Sequence, residues 1–341
     1  MLAPRSQVLF NPGPVNLHAS IRHNLFNVEL CHRQPEFSAL MDSVRRRLAH
    51  VSGLEPGRHR LSLLHGSGTL AVDAALANLV QGRVLVIDNG LYCRRIAATL
   101  GILGDAEVRV FDAGIGRQPD LVQLEESIEA FAPQWLAVVH HETMTGLLNP
   151  LEQIASLADR YGCRLFVDAL SAFPVHPLPP RTDVVCFNSS KCLEALPGIA
   201  GIFWSRDLEA KQALACLDLE AHAEGLPSTP NVQAFVALDI ALDLLAEEDR
   251  PARYRRLVGA VWEAGSRNFE PLLAEEHRSW VLTSFRLGGR DPDELFASAL
   301  EHGYVIYHGQ QELRSEIFRV ANMGAAIDQE VIEDLFKILA S

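Results

Sequence analysis

Hydrophobic and polar positions follow two rhythms along the chain, and the change from one to the other marks the predicted elements. Near-continuous runs of Val, Ile, Leu and Phe occupy 84–87, 135–139, 165–167, 184–187 and 199–204. Each has the length of a strand, and continuous apolarity means burial on both faces, as in a parallel sheet covered on both sides. Elsewhere apolar residues return every three or four positions. From Pro35 the residues Phe37, Leu40, Met41, Val44 and Leu48 share one helical face, and Gly53 ends the run. Asn149 is placed to cap a second helix, with Pro150 at its first position, Ile154, Leu157 and Ala158 inside and Gly162 as terminator. Helical patterns follow at 232–245 and 254–269. Beyond them, 281–287 alternates like a strand, 292–303 reads as a helix, and 304–307 and 317–320 read as strands.

Strands and helices in alternation predict an α/β fold built on a mainly parallel sheet. The predicted division is an irregular N-terminal arm (1–17), a large domain (18–249) and a smaller C-terminal α+β domain (250–341). The length, 341 residues with 48% hydrophobic and 21% charged, suits one large core plus a smaller one.

Charge narrows the partners. A net charge of −13 argues against nucleic acid, because a phosphate-binding surface needs clustered basic residues; Arg45-Arg46-Arg47 reads as a solvated helix face. The six cysteines, at 31, 93, 163, 186, 192 and 216, contain no Cys-x-x-Cys pair, so neither a metal site nor a disulfide framework is predicted. No basic-then-apolar leader and no apolar run near ~20 residues is present, so the expectation is a cytoplasmic protein without a membrane partner.

Three features carry candidate chemistry. Leu64-His65-Gly66-Ser67-Gly68-Thr69 leads into a helical pattern through Ala71, Ala75, Leu76 and Leu79. Glycines there admit an anion and a helix N-terminus offers free N–H groups, so the segment suits a phosphate, although it also suits an ordinary turn and cap. Asp168 ends a buried strand, where it faces a ligand crevice or opens a turn. Lys191, in Asn188-Ser189-Ser190-Lys191, also follows a buried strand, as a site residue or a solvated edge. Together an anion cradle, a strand-end acid and a strand-end lysine meet the needs of pyridoxal phosphate: a seat for the phosphate, a partner for the pyridine nitrogen, and an amine for a Schiff base.

The arrangement resembles the class V group of the fold-type I aminotransferases over most of the chain. Asn11-Pro12-Gly13-Pro14 is similar to that group's Pro-Gly-Pro segment, and His32-Arg33-Gln34-Pro35-Glu36-Phe37 to its His-Arg-Ser-Pro-Glu-Phe. His141-Glu142-Thr143-Met144-Thr145-Gly146 is similar to its His-x-Glu-Thr/Ser-x-Thr-Gly, and Val167-Asp168-Ala169 to its Val-Asp-Ala/Ser. Within the group, segments 66–74, 142–150 and 190–198 look most like the 2-aminoethylphosphonate:pyruvate aminotransferases, whereas 32–37 looks closer to the serine- and alanine-glyoxylate enzymes.

The resemblance implies a fold-type I enzyme that binds pyridoxal phosphate as a homodimer with a shared active site. Lys191 would form the Schiff base and move the substrate Cα proton, and Asp168 would pair with the pyridinium nitrogen. Ser67, Gly68, Thr69 and Ser190 would bind the phosphate, with Thr229 reaching it from a second subunit. Tyr92 would stack on the cofactor or pack in the core, and Thr143 would bond the phenolic oxygen or serve a turn. Arg319, in Phe318-Arg319-Val320-Ala321-Asn322-Met323-Gly324, would grip the substrate carboxylate, or be a surface strand residue. The adjacent His140 and His141 are expected to be structural. The implied reaction is amino transfer from 2-aminoethylphosphonate to pyruvate or glyoxylate. Serine- or alanine-glyoxylate transamination and a lyase on the same scaffold are the alternatives.

Overall fold

Successive residues of a strand point to opposite faces, and here both faces are buried. In the computed structural model, which describes residues 7–25, 27–211 and 214–341, a seven-stranded sheet divides two apolar layers. Leu136, Val138, Leu165, Val167, Val185 and Phe187 face one layer, and Ala137, Val139, Phe166, Val184 and Cys186 face the other. That is why the strands read as unbroken apolar runs.

In chain order, the two-residue strand β1 (Val8–Leu9) precedes helices α1 (Ala19–Asn24) and α2 (Pro35–Val51). Then follow β2 (His59–Gly66), α3 (Gly68–Leu79), β3 (Gly82–Asp88), α4 (Leu91–Leu103), β4 (Ala106–Asp112), α5 (Leu121–Phe131) and β5 (Trp135–Val139). A small hairpin, β6 (His141–Glu142) with β7 (Leu147–Leu148), leads to α6 (Leu151–Tyr161), β8 (Arg164–Asp168), β9 (Val184–Asn188) and β10 (Gly198–Ser205). The large sheet has the order β2-β10-β9-β8-β5-β3-β4, and within it β10 alone runs antiparallel to both neighbours. Helices α3 and α4 cover one face, with α7 (Leu219–Glu224) beside β2. The other face is covered by α2, α5, α6 and α8 (Val232–Ala246).

From α9 (Arg250–Ser266) the chain builds a second core. It contains β11 (Leu282–Arg286), α10 (Pro292–Glu301), β12 (Tyr304–Val305), β13 (Tyr307–His308), β14 (Ile317–Ala321) and α11 (Gln329–Ala340). Strands β11, β14 and β13 form an antiparallel sheet packed on α9 and α11 through Leu257, Phe285, Phe318 and Phe336.

Four expectations are corrected. The arm is not wholly irregular, because β1 pairs in parallel with β12 and Phe10 is buried in the second core; residues 1–6 of the arm lie outside the described residues. The single strand expected at 304–307 is two, since Ile306 turns into the core and β12 and β13 join different sheets. Asn149 does not cap α6: Pro150 is the cap and Leu151 the first helical residue. The Asn149 side chain instead donates to the Val139 carbonyl at 2.7 Å and accepts from Asn89 at the same distance, so a tie between the ends of β3 and β5 outcompetes the local cap. Finally, α9 starts at Arg250, before the predicted 254, because Asp249 caps it through the Ala252 N–H.

Among the described residues no helix is long and apolar enough to cross a membrane, and no group of His, Cys, Asp or Glu is arranged to hold a metal ion.

Candidate active site

Parallel strands end together, so the carboxyl edge of the sheet collects the residues that follow them. Register places Gly198, the first residue of β10, opposite Gly66, and Asp168 opposite Cys186 on β9, two residues before Asn188. Ser67, Asp168, Ser190 and Lys191 therefore lie at one edge. A cavity of about 860 Å³ opens at the opposite, amino edge, between Arg83, Trp135, Tyr161 and Arg164, and includes none of them.

Lys191 differs from the other two lysines of the chain. Lys211 pairs with Asp105 at 2.8 Å and Lys337 is exposed. Burial lowers the Lys191 ammonium to about 8, against a smaller raising influence of Asp168. Its Nζ donates to the Pro12 carbonyl in the arm. Gly13 follows with φ +88°, and a Cβ on it would lie 2.6 Å from the Lys191 Cδ and 2.8 Å from the Ser190 carbonyl oxygen. Only glycine lets the arm pass so close.

The loop carrying Lys191 is tied down by a residue that sequence reasoning passed over. Glu194 adopts φ 58° and is buried. It accepts from Arg253 Nη2 and Tyr254 Oη, both at 2.6 Å, and from the Gly324 N–H at 3.1 Å. Burial alone would raise its pKa, but the charges of Arg250 and Arg253 hold it below the usual value. Glu194→Ala would leave the buried Tyr254 phenol and the Gly324 N–H without their acceptor and take one of two carboxylates from Arg253, which keeps Glu248, and is expected to cost about 1–3 kcal/mol, read as a lower denaturation midpoint. Because the folded pKa is depressed, the contribution is present at neutral pH and is lost as acid protonates the carboxylate. The denaturation-midpoint difference between wild type and variant should therefore shrink at low pH.

The segment expected to seat an anion is the start of α3. Ser67 is the extended residue before α3, and its side chain makes no cap bond, so the first N–H groups of the helix are free. Gly68 sits against Asn188 and Leu170: a Cβ there would be 2.6 Å from Asn188 Nδ2 and 2.8 Å from Leu170 Cδ2. Asn188 Oδ1 in turn accepts the Ser190 N–H at 3.1 Å, joining the two halves of the cradle. Arg95, on α4, donates to Thr69 Oγ1 at 3.0 Å and lies 5.0 Å above the Tyr92 ring, bringing a cation to the same place. Gly68→Ala should displace Asn188 and weaken binding of a phosphate-bearing ligand at least tenfold, which titration of the purified protein with that ligand would read.

Asp168 is buried, accepts the Leu170 N–H at 3.0 Å, and has no cationic partner within ion-pair distance among the described residues. Burial pushes it up to about 6. Such a carboxylate favours a cationic N–H ligand, which would restore its charge. His140 and His141 are buried and neutral, desolvation pushing them down to about 3 and about 4. His141 Nε2 meets Ser279 Oγ at 2.9 Å and its Nδ1 meets the Ser171 carbonyl at 3.1 Å. Glu142, pushed up to about 7 by burial, accepts the Tyr92 N–H at 3.0 Å and the Met144 N–H at 2.9 Å, so it anchors the start of α4 and with it Tyr92.

Thr143 is buried, and its hydroxyl has no partner among the described residues. Its carbonyl accepts from Arg319 Nη1 at 2.7 Å. Arg319, 2% exposed, also donates through Nε to the His308 carbonyl at 2.8 Å and through Nη1 to Gln310 Oε1 at 3.2 Å. No carboxylate among the described residues pairs with it and its Nη2 has no partner among them, which leaves a buried cation with one nitrogen free. Thr229 is not brought to this site within the chain; it is exposed and lines a separate cleft of about 560 Å³ with His32, Arg33 and Arg45.

Four residues here carried no functional prediction: Arg95, Glu142, Asn188 and Glu194. The sequence signal that could have found them is adjacency, since each lies within four residues of Tyr92, Thr143 or Lys191.

The sequence pattern of aminotransferase class-V matches residues 20–256. A 2-aminoethylphosphonate–pyruvate transaminase of Pseudomonas aeruginosa is 33% identical over 350 residues, 94% of this chain and 92% of its own. One of Klebsiella pneumoniae is 29% identical over 97% of this chain and 96% of its own. The crystal structure of an alanine–glyoxylate aminotransferase from Nostoc sp. superposes with a TM-score of 0.91 at 28% identity, covering 99% of this chain and 96% of that one. The chain belongs to the class V aminotransferases, and it is a pyridoxal-phosphate-dependent enzyme of that family.

Proposed function

We propose that the enzyme transfers the amino group of a small acid-bearing amine, 2-aminoethylphosphonate in the best-supported case, to pyruvate or glyoxylate. The observation that carries the acid-bearing part is Arg319, a buried guanidinium without an internal carboxylate. The named donor rests on the transaminases similar over nearly the whole chain. Serine- or alanine-glyoxylate transamination is the second reading, favoured by the likeness to the Nostoc enzyme.

The residues present fit pyridoxal phosphate. Gly68 lets Asn188 and Leu170 approach the start of α3, whose first N–H groups carry no side-chain cap, Asp168 lacks a cationic partner among the described residues, and burial lowers the Lys191 ammonium. When bound, the cofactor supplies an electron sink for negative charge developing at the substrate Cα. Ser67, Gly68, Thr69 and Ser190 would hold its phosphate, Asp168 would accept its ring N–H, Tyr92 would stack on it and Thr143 would bond its phenolic oxygen. Lys191 would hold it covalently through Nζ and, when free, would take the Cα proton; a pKa near 8 leaves enough neutral amine to do so. Arg319 would orient the acid group. Pro12 and Gly13 roof Lys191 and limit water.

The same reading takes the molecule as a homodimer in which Thr229 reaches the partner's phosphate. It also takes 1–17, 18–249 and 250–341 as arm, large domain and small domain, supported by the separate core that begins in α9. A half-reaction screen tests the function: candidate amines are added singly to the loaded enzyme and the loss of its visible absorbance is followed. Bleaching by 2-aminoethylphosphonate with turnover only when a keto acid is added supports the proposal. Turnover without any keto acid would indicate a lyase.

A further inference from the structure

Asn11, in the arm, is 4% exposed, and its Oδ1 is buried without a partner among the described residues. Its Nδ2 donates to the Tyr307 hydroxyl at 3.3 Å. Tyr307 stands directly opposite Arg319 in the pairing of β13 with β14, and directly opposite residues of an antiparallel pair share a face. The Arg319 guanidinium lies 5.7 Å from the centre of the Tyr307 ring. The next arm residue, Pro12, accepts from Lys191 Nζ. Asn11, Tyr307, Arg319 and Lys191 thus lie near one another, close enough for the Arg319 charge to bear on the Lys191 ammonium.

We infer that Tyr307 is a second ligand for the substrate's acid group and that Asn11 positions it. Because Asn11 occupies a lone pair of the phenol, the Tyr307 O–H is left to donate, and it donates to an oxygen of the oxyanion held by Arg319. Arg319 offers only its Nη2, because its Nε is taken by the His308 carbonyl and its Nη1 by Thr143 and Gln310. A donor beside it adds a contact that an amine without an acid group cannot use. The arm is thereby part of substrate selection as well as a roof over Lys191. This rests on the proposed function, whose acid-bearing substrate it deepens.

The test does not need turnover. The cofactor-loaded enzyme is titrated by calorimetry with ethylphosphonate and with propionate, which lack the reacting amine and distinguish a phosphonate from a carboxylate. Tyr307→Phe is expected to weaken the preferred acid about tenfold, the effect of one hydrogen bond to a charged group, with the visible cofactor band unchanged. Asn11→Ala should weaken it less, and the double variant no more than Tyr307→Phe alone, since Asn11 acts through the phenol. In turnover, KM for the acid-bearing donor should rise about tenfold while kcat falls less, and KM for n-propylamine should stay unchanged. Unaltered acid affinity in Tyr307→Phe, or an equal loss for propylamine, overturns the inference. If Arg319→Ala abolishes acid binding while Tyr307→Phe does nothing, the inference fails and the proposed function stands; if the wild type binds neither acid, both fail.

Discussion

Lys191→Ala is expected to bind pyridoxal phosphate and to lose turnover by on the order of 10⁴-fold, the upper end of what a positioned proton-transfer group contributes. Two roles go together with this amine. Lys211 is paired with Asp105 and Lys337 is exposed, whereas burial lowers the Lys191 ammonium to about 8, so Lys191 is the proposed nucleophile for the cofactor's carbonyl and the proposed base for the Cα proton. The phosphate cradle at Ser67, Gly68 and Ser190 is untouched by the change, so cofactor affinity should persist. Borohydride treatment followed by peptide mass analysis reads the covalent role: wild type should carry the label at Lys191 and not at Lys211 or Lys337. A labelled, unchanged chromophore in the alanine variant would remove Lys191 from its place. Kinetics with the keto acid read the second role separately, because an added small amine can restore proton transfer but not the covalent link.

Asp168→Asn is expected to keep the cofactor and lose about 10²–10³-fold in kcat, the scale seen when one preorganised electrostatic partner is removed. The amide is nearly isosteric and keeps the bond from the Leu170 N–H, so folding should be little changed. What would be lost is the negative charge proposed to face the ring nitrogen. The pH dependence makes the assignment sharper. Burial holds the Asp168 proton up to about 6, so below that pH the carboxyl is neutral and cannot accept a ring N–H as an anion. Cofactor affinity of the wild type should fall as pH drops through about 6, and the part of that fall owed to Asp168 should be missing from the Asn variant. Titrating both proteins across that range by absorbance compares them with the cofactor's own ionisation held in common. Near-normal turnover in Asp168→Asn would mean that the strand-end acid has another task.

Much of this was legible from residues alone because parallel strands buried on both faces write themselves as apolar runs. The five predicted strands of the large sheet are there, each within a residue or two of its expected ends, and three of them deliver Asp168, Asn188 and the end of β5 to one edge. Strands β2 and β4 were not legible. Each has only one neighbour in the sheet, and charged residues such as Arg60, Glu107 and Arg109 interrupt the runs that would have marked them. The Asn149 cap was misplaced by one residue because a capping side chain was recruited by Asn89 and the Val139 carbonyl, which lie far away in sequence.

The sequence by itself determined the α/β class, the glycine turn at Ser67 to Thr69 before a helix, and the placing of Asp168 and Lys191 at or just past strand ends. Those are local facts: a glycine-rich turn, a helix start and two strand ends. Tertiary structure alone decided which residues complete them. It set the arm's carbonyl on Lys191, folded Glu194 under Arg253 and Tyr254, left Arg319 buried without a carboxylate, and put Asn11 against Tyr307, 296 positions away in the chain. Burial and charge pairing depend on what the whole chain brings together, and no window of neighbouring residues contains that information.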